Sequence, residues 1–283
     1  MSLNVSDMIA QLERDAESNK LELPSLPDII VFIQEAMDDP NKGINHVARI
    51  IQMDPTLTVR LLAIANSPLY RANLQLRDLK QAIQRLGLGV TRNIVTSLIL
   101  HNIFTVSSAS VHSKIKVLWQ HSCRVAAISQ VIANLTPGIQ PDRAMLAGLL
   151  HDIGVLPILI YADQCGFDNM GPDVVDEVIE QLGKQLGQKI IEEWKLGDDL
   201  CQVPAAIDAW QRDHEGDADY ADVVQVAHIH SQFGEKTDKE IPPLSRLPSF
   251  NKLTIAKMGP HAGLELIEQA SEEINATIRL LNG

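Results

Sequence analysis

The chain has 283 residues, with 24 Lys plus Arg against 36 Asp plus Glu and a formal net charge of −12. A surface that neutralises many phosphates must be basic, so this balance excludes a broad nucleic-acid face. Aromatic residues at 4% beside 45% hydrophobic residues argue against a β-sandwich core and for aliphatic helix packing, so the expected fold class is all-α.

Helix signals recur along the chain with short connectors. An amphipathic segment runs from Ser6 to about Ser18, and Pro24-Ser-Leu-Pro27 punctuates it before a helix over Asp28–Met37 with Ile29, Ile30, Ile33 and Met37 at helical spacing. A third segment, Ile44–Met53, ends at Asp54-Pro55, which also starts the next helix, with Asp54 as N-cap and Pro55 in the first helical position. Leu57, Leu61, Leu62 and Ala65 give that helix its apolar face, and Asn66-Ser-Pro68 stops it, with Asn66 suited to a left-handed cap. A short helix runs from Asp78 as N-cap to Gly87 as C-terminal cap, followed by one over Val90–Phe104.

The Ser-rich stretch 105–113 is the expected lobe boundary, giving an N-terminal lobe over 1–108 and a second lobe over 109–283. Beyond it, Leu118, His121, Val125, Ile128, Ile132 and Leu135 step by three or four residues and share one helix face. Pro141–Leu150 forms the next helix, followed by His151-Asp152-Ile153-Gly154 and then helices near 155–164, 173–195, 199–211, 219–233, 248–258 and 263–281. No βαβ alternation and no Gly-rich phosphate loop appears.

Charge is unevenly placed. Residues 1–150 carry 14 bases and 12 acids, whereas 151–283 carry 10 bases and 24 acids. Six bases between Arg60 and Arg92 face only Asp78, while 163–222 holds 16 acids against 4 bases. Its densest run, Asp213 to Asp222, reads as a solvated loop leading into a helix, with a partner-facing acidic patch as the alternative. Cys123, Cys165 and Cys201 are odd in number and form no CxxC pair, and neither a signal peptide nor 18 uninterrupted apolar residues is present. A cytoplasmic protein that does not span a membrane is expected.

His121 puts a titratable ring on a face that periodicity assigns to the interior, and buried polar groups need partners. Adjacent His151 and Asp152 at a helix end can both turn toward one ion, and a facing helix can supply a second imidazole. The plainer reading is a hydrogen-bonded core. Trp119-Gln-His121-Ser122 with Gly148-Leu-Leu-His-Asp-Ile-Gly154 resembles the HD superfamily of metal-dependent phosphohydrolases. Residues from about 20 to 235 resemble its HDOD branch, the HD-related output domains of bacterial signalling proteins. Leu23-Pro-Ser-Leu-Pro27, Asp54-Pro55, Ala65-Asn-Ser67 with Tyr70, Ala82-Ile83 before Leu86-Gly87, and Leu186-Gly187 before Trp194 carry that resemblance.

The resemblance implies a two-lobed, all-α protein with an output or scaffold role. It also implies departures from the hydrolytic pattern. His228 stands where a distant Asp ligand is expected, Gly183, Trp210 and Gln211 stand where cyclic-dinucleotide hydrolases carry three further histidines, and Val155 replaces the Lys that follows HDIG in active enzymes. His121, His151, Asp152 and His228 still make an acceptable set for a single Zn, Fe or Mn ion, and four protein ligands around tetrahedral zinc leave no place for water. No catalytic residue and no organic cofactor is therefore expected. Asn66, Tyr70 and Arg71 are expected first as helix-stop residues and second as a groove for a partner or small ligand.

The function expected is a non-catalytic signalling module acting in trans on an unknown protein partner, with homodimerisation open. The alternative is a metal-dependent phosphohydrolase acting on a nucleotide or other phosphate ester.

Overall fold

The computed structural model describes residues 9–11, 14, 23–67, 70, 75–104, 109–164, 172–232, 242–258 and 260–282. Most of the predicted helix at 6–18 lies outside them. Among the described residues the regular structure is helical throughout, with no strand. The chain divides into two compact units, one of residues 25–102 with 275–283, the other of residues 1–24 with 103–274.

The smaller unit holds α1 (Asp28–Asp38), α2 (Ile44–Gln52), α3 (Pro55–Ala65), α4 (Leu79–Leu86), most of α5 (Leu88–Ile103) and the end of the last helix, α15 (Ser271–Asn282). Its helix starts are set by local chemistry. The Asp54 carboxylate accepts from Leu57 N–H at 3.0 Å, and Asp78 accepts from Gln81 N–H at 3.0 Å. Each carboxylate satisfies one of the N–H groups left over at a helix start. Gly87 closes α4 with φ 81°, a backbone conformation open to glycine, and donates its N–H to Ile83 O at 2.8 Å. Asp54→Ala should cost about 1 kcal/mol, read as a lower denaturation midpoint with an unchanged slope.

Two details of this unit depart from expectation. Asn66 has φ −95° and ψ −2°, a right-handed conformation, so it does not act as a left-handed cap. Its side chain instead donates to Leu62 O and Leu76 O at 2.9 Å each and accepts from Leu76 N–H at 2.7 Å, tying the end of α3 to the chain ten residues on. Arg60, the first base of the basic run, turns inward. Its guanidinium donates to Leu98 O near the end of α5, and to Leu280 O and Leu281 O at the end of α15. At the end of α15 this cation meets carbonyls that the helix leaves over and its negative dipole end.

The larger unit is built around α6 (Ala109–Leu135), flanked by α7 (Pro141–Leu150), α8 (Val155–Gln164) and α12 (Tyr220–Gln232); α9 (Pro172–Glu193) packs on α8 and on the short helices α10 (Asp198–Cys201) and α11 (Val203–Ala206) that lead to α12. Of the predicted stripe on α6, Val125, Ile128 and Ile132 are buried, whereas Leu135 at the end of the helix is 37% exposed. The predicted helix at 199–211 is α10 and α11. The one at 248–258 is α13 (Pro248–Lys252) and a 3₁₀ turn (Thr254–Met258), and the one at 263–281 is α14 (Pro260–Gln269) and α15, parted at Ala270. The stretch Pro141–Gln164 is long and apolar enough to cross a membrane, but it is interrupted by the turn at 151–154 and 78% of its apolar window is buried in the fold. It serves as core.

Glycines set how closely these helices approach. A Cβ on Gly148 would lie 2.6 Å from Ala126 Cα, so the α7 backbone rests on the α6 backbone. A Cβ on Gly154 would lie 1.9 Å from Gly183 O and 2.4 Å from Gly187 N, so the turn after α7 is pressed against α9. Gly183 and Gly187 are one helical turn apart and leave α9 flat where that turn meets it.

The acidic run at 213–222 is less solvated than expected. Asp222 is fully buried, accepting from Arg212 Nη1 at 2.8 Å and lying 2.8 Å from His214 Nε2, while Arg212 Nη2 binds Asp219. A buried carboxylate needs such partners, and here they close the loop onto the start of α12.

Candidate metal centre

Two helices and one turn of the larger unit deliver the predicted ligands to one place. His121 comes from the middle of α6, His151 and Asp152 from the turn that ends α7, and His228 from α12. The α7–α6 approach allowed by Gly148 and the α9 approach allowed by Gly154 hold that turn from both sides. The ring centroids of the three histidines lie 5.1 to 5.3 Å apart, with rings tilted or edge-on to one another. One ligand nitrogen from each falls within 4.8 Å of the others. His121 Nε2 is 3.2 Å from His228 Nδ1, and Asp152 Oδ2 is 3.0 Å from His151 Nε2 and 4.0 Å from His121 Nε2.

These separations can be compared with a coordination shell. Nitrogen ligands about 2.0 Å from zinc in a tetrahedron stand roughly 3.3 Å apart. The two shortest separations in the cluster fall near that value. His151 is also in the tautomer a metal needs, because its Nδ1 donates to Gly148 O at 2.8 Å and leaves the lone pair on Nε2. That Nε2 is buried and lies 3.0 Å from the Asp152 carboxylate. His228 Nε2 meets the Gln232 side-chain amide at 2.8 Å. As placed, the Gln232 amide nitrogen donates to Nε2, and His228 Nδ1 carries the proton toward His121 Nε2; turning the amide to present its oxygen would put the proton on Nε2 and free Nδ1 for an ion. The donor set fits one divalent cation.

Burial pushes the His121 imidazole down to about 4, helped by neighbouring His151 and Arg124 and opposed by Asp152. Burial also disfavours a charge on His151, but the Asp152 carboxylate more than offsets this and raises it above the usual value. Asp152 is held below the ordinary carboxylate range: burial raises it, and His151 and then His121 and His228 outweigh that. A proton is thus favoured on His151 and disfavoured on His121, and Asp152 stays an ionised carboxylate beside them.

His230 takes no part. It is buried, with Nδ1 donating to Val226 O at 2.8 Å, as its angular offset from His228 on one helix requires. His214, Asp219 and Asp222 form a second cluster of potential ligands, but the Arg212 guanidinium sits on both carboxylates and supplies their counter-charge. Asn66 is committed to the brace described above, Tyr70 is half-buried, and Arg71 lies outside the described residues.

Above the cluster opens a cavity of about 590 Å³ whose lining includes His151, Asp152, Val155, His228 and Gln232. Gly183 and Trp210 also line it, while Gln211 faces a neighbouring cavity that shares Trp210. Its rim was not foreseen. Asp173, Asp176, Glu177 and Glu180 project from α9, and Asp208 joins them, against one base, Lys184, which pairs with Asp208 at 3.2 Å. The steps of three, one and three residues between the α9 acids were a readable sign that they share a face.

Residues 23–209 match the HDOD domain, two thirds of the chain. The chain belongs to the HDOD family. A Treponema pallidum (strain Nichols) protein of uncharacterised role is 25% identical to this HDOD chain over 196 residues. The match covers 64% of the chain but only 37% of that protein, so the chain spans little more than a third of its relative's length. Among solved structures, a Shewanella amazonensis SB2B protein provisionally described as a metal-dependent phosphohydrolase shares the fold with a TM-score of 0.80 at 22% identity, covering 97% of this HDOD chain and 99% of that one. An HDOD domain protein of unknown function from Geobacter sulfurreducens gives a TM-score of 0.61 at 22% identity, covering 99% and 98% of the two chains. A Marinobacter aquaeolei VT8 protein provisionally described as a signal transduction protein gives 0.64 at 18% identity, covering 100% of this chain and 67% of that one.

Proposed function

We propose that this HDOD protein is a regulatory module that works through protein contact, with a single divalent ion in the His121–His151–Asp152–His228 cluster serving structure and not turnover. The observation that carries the reading is the sign of the cavity. Phosphoryl-transfer sites gather cations around the charge that develops in the transition state. Here six carboxylates and one ammonium line the opening, and the ammonium is already paired. A phosphate ester approaching the ion would cross a field of its own sign.

The geometry of the ligands keeps the phosphohydrolase reading as the competitor, because an ion held there with an open position for water would be a Lewis acid at the floor of a cavity. Elemental analysis of protein purified without chelator, followed by phosphatase and phosphodiesterase assays with added manganese or zinc, separates the two. The expected result is about one bound ion per chain and no turnover above the free metal. Turnover that disappears in His121→Ala would overturn the regulatory reading.

A further inference from the structure

We propose that the acidic cavity and an apolar groove beside it form one docking surface for a basic, amphipathic segment of a partner protein; this rests on the reading that the module acts by protein contact. The groove, of about 400 Å³, runs between α6, α8 and α9 and is lined almost wholly by apolar atoms, among them Val117, Leu118 and Leu159. Val155 and Ile179 line both groove and cavity, so the two are continuous. Val117 is 64% exposed, an unusual position for a large aliphatic side chain beside an apolar depression.

Charge complementarity chooses the occupant. The two lysines at the rim are engaged, Lys184 with Asp208 at 3.2 Å and Lys114 with Asp176 at 3.8 Å. Asp173, Glu177 and Glu180 are exposed and have no ion pair among the described residues. A small polyamine would satisfy the carboxylates and leave the groove uncovered, and an anionic lipid surface would be repelled. A segment with Lys or Arg on one face and Leu-like residues on the other covers both.

Fluorescence anisotropy with a labelled 18-residue Leu/Lys amphipathic peptide, at about 0.15 M salt, where distant charges are screened, tests the surface. Reversal of the rim charge in Asp173→Lys/Glu177→Lys, and blocking of the groove in Val117→Glu, should each weaken binding roughly tenfold or more. Glu272→Lys/Glu273→Lys, an equal charge change on the exposed face of α15, should leave it within about twofold. Thermal melts confirm that each variant is folded. Hydrogen exchange on the unmodified protein should show peptide-dependent protection in α9 and in 113–121. No binding, equal weakening by the control reversal, or dependence on charge alone with Val117→Glu unaffected would overturn the proposal. Turnover in the phosphoesterase assays with peptide binding intact would remove the regulatory reading and leave the docking surface standing.

Discussion

Gly154→Ala is expected to destabilise the larger unit by about 3 kcal/mol or more, at the upper end of single-substitution effects. The added methyl would be placed 1.9 Å from one backbone atom of α9 and 2.4 Å from another, and neither can rotate away as a side-chain tip would. Relief requires the turn at 151–154 to lift from α9, which carries His151 and Asp152 out of register with His121. Stability and metal affinity should therefore fall together. Gly89→Ala, where a Cβ meets nothing within 4 Å and φ is not positive, should cost nothing measurable. Chemical denaturation paired with metal titration reads both effects. An unchanged midpoint in Gly154→Ala would mean that the close approach is not part of the folded protein.

The second large effect is on metal linkage. At a zinc or manganese concentration one hundred times its dissociation constant, a single site on the folded state adds about 2.7 kcal/mol of stability. The rise in melting temperature on adding metal should vanish in His151→Ala, which removes the Nε2 donor and leaves Gly148 O without its partner. His230→Gln should retain the rise, because His230 Nδ1 bonds Val226 O of its own helix and the ring lies outside the cluster. Gln232→Ala should retain it with metal affinity lowered by about 10- to 100-fold, the usual cost of losing a group that orients a ligand. A rise that survives His151→Ala would place the ion elsewhere, and no rise in the unsubstituted protein would leave the histidines as a hydrogen-bonded core.

Much of this was readable in the residues, and what was not has a physical reason. Asp54-Pro55, Asp78 and Gly87 mark helix ends because capping is a local interaction, and the structure shows the hydrogen bonds they imply. His121, His151, Asp152 and His228 could be named in advance and lie together as a group. Asn66 shows the limit: stopping a helix was legible, but the choice of a brace to Leu76 over a left-handed cap depends on where residue 76 arrives. The break at Ala270 was missed because Leu264–Leu281 keeps helical periodicity through it. Asp222 was read with the solvated run around it, since composition cannot show that Arg212 and His214 would close over one carboxylate. The spacing of Gly183 and Gly187 was available but says only that a backbone approaches; that the approaching turn is the one bearing the ligands is a fact of the fold.

The smaller unit is closed by residues far away in sequence: Arg60 holds the carbonyls of Leu280 and Leu281, and residues 275–283 belong with 25–102. During synthesis the first five helices leave the ribosome well before their last partner is made. About 170 residues separate Asn102 from Asn275, and at 5–20 residues per second that gap lasts roughly 10 to 35 s. Through that interval Arg60 has no α15 to cap and the apolar face destined for Leu281 stays open to water. The unit that holds α1 to α5 is thus among the last to be completed, and a chain cut short before Asn275 lacks the residues that close it.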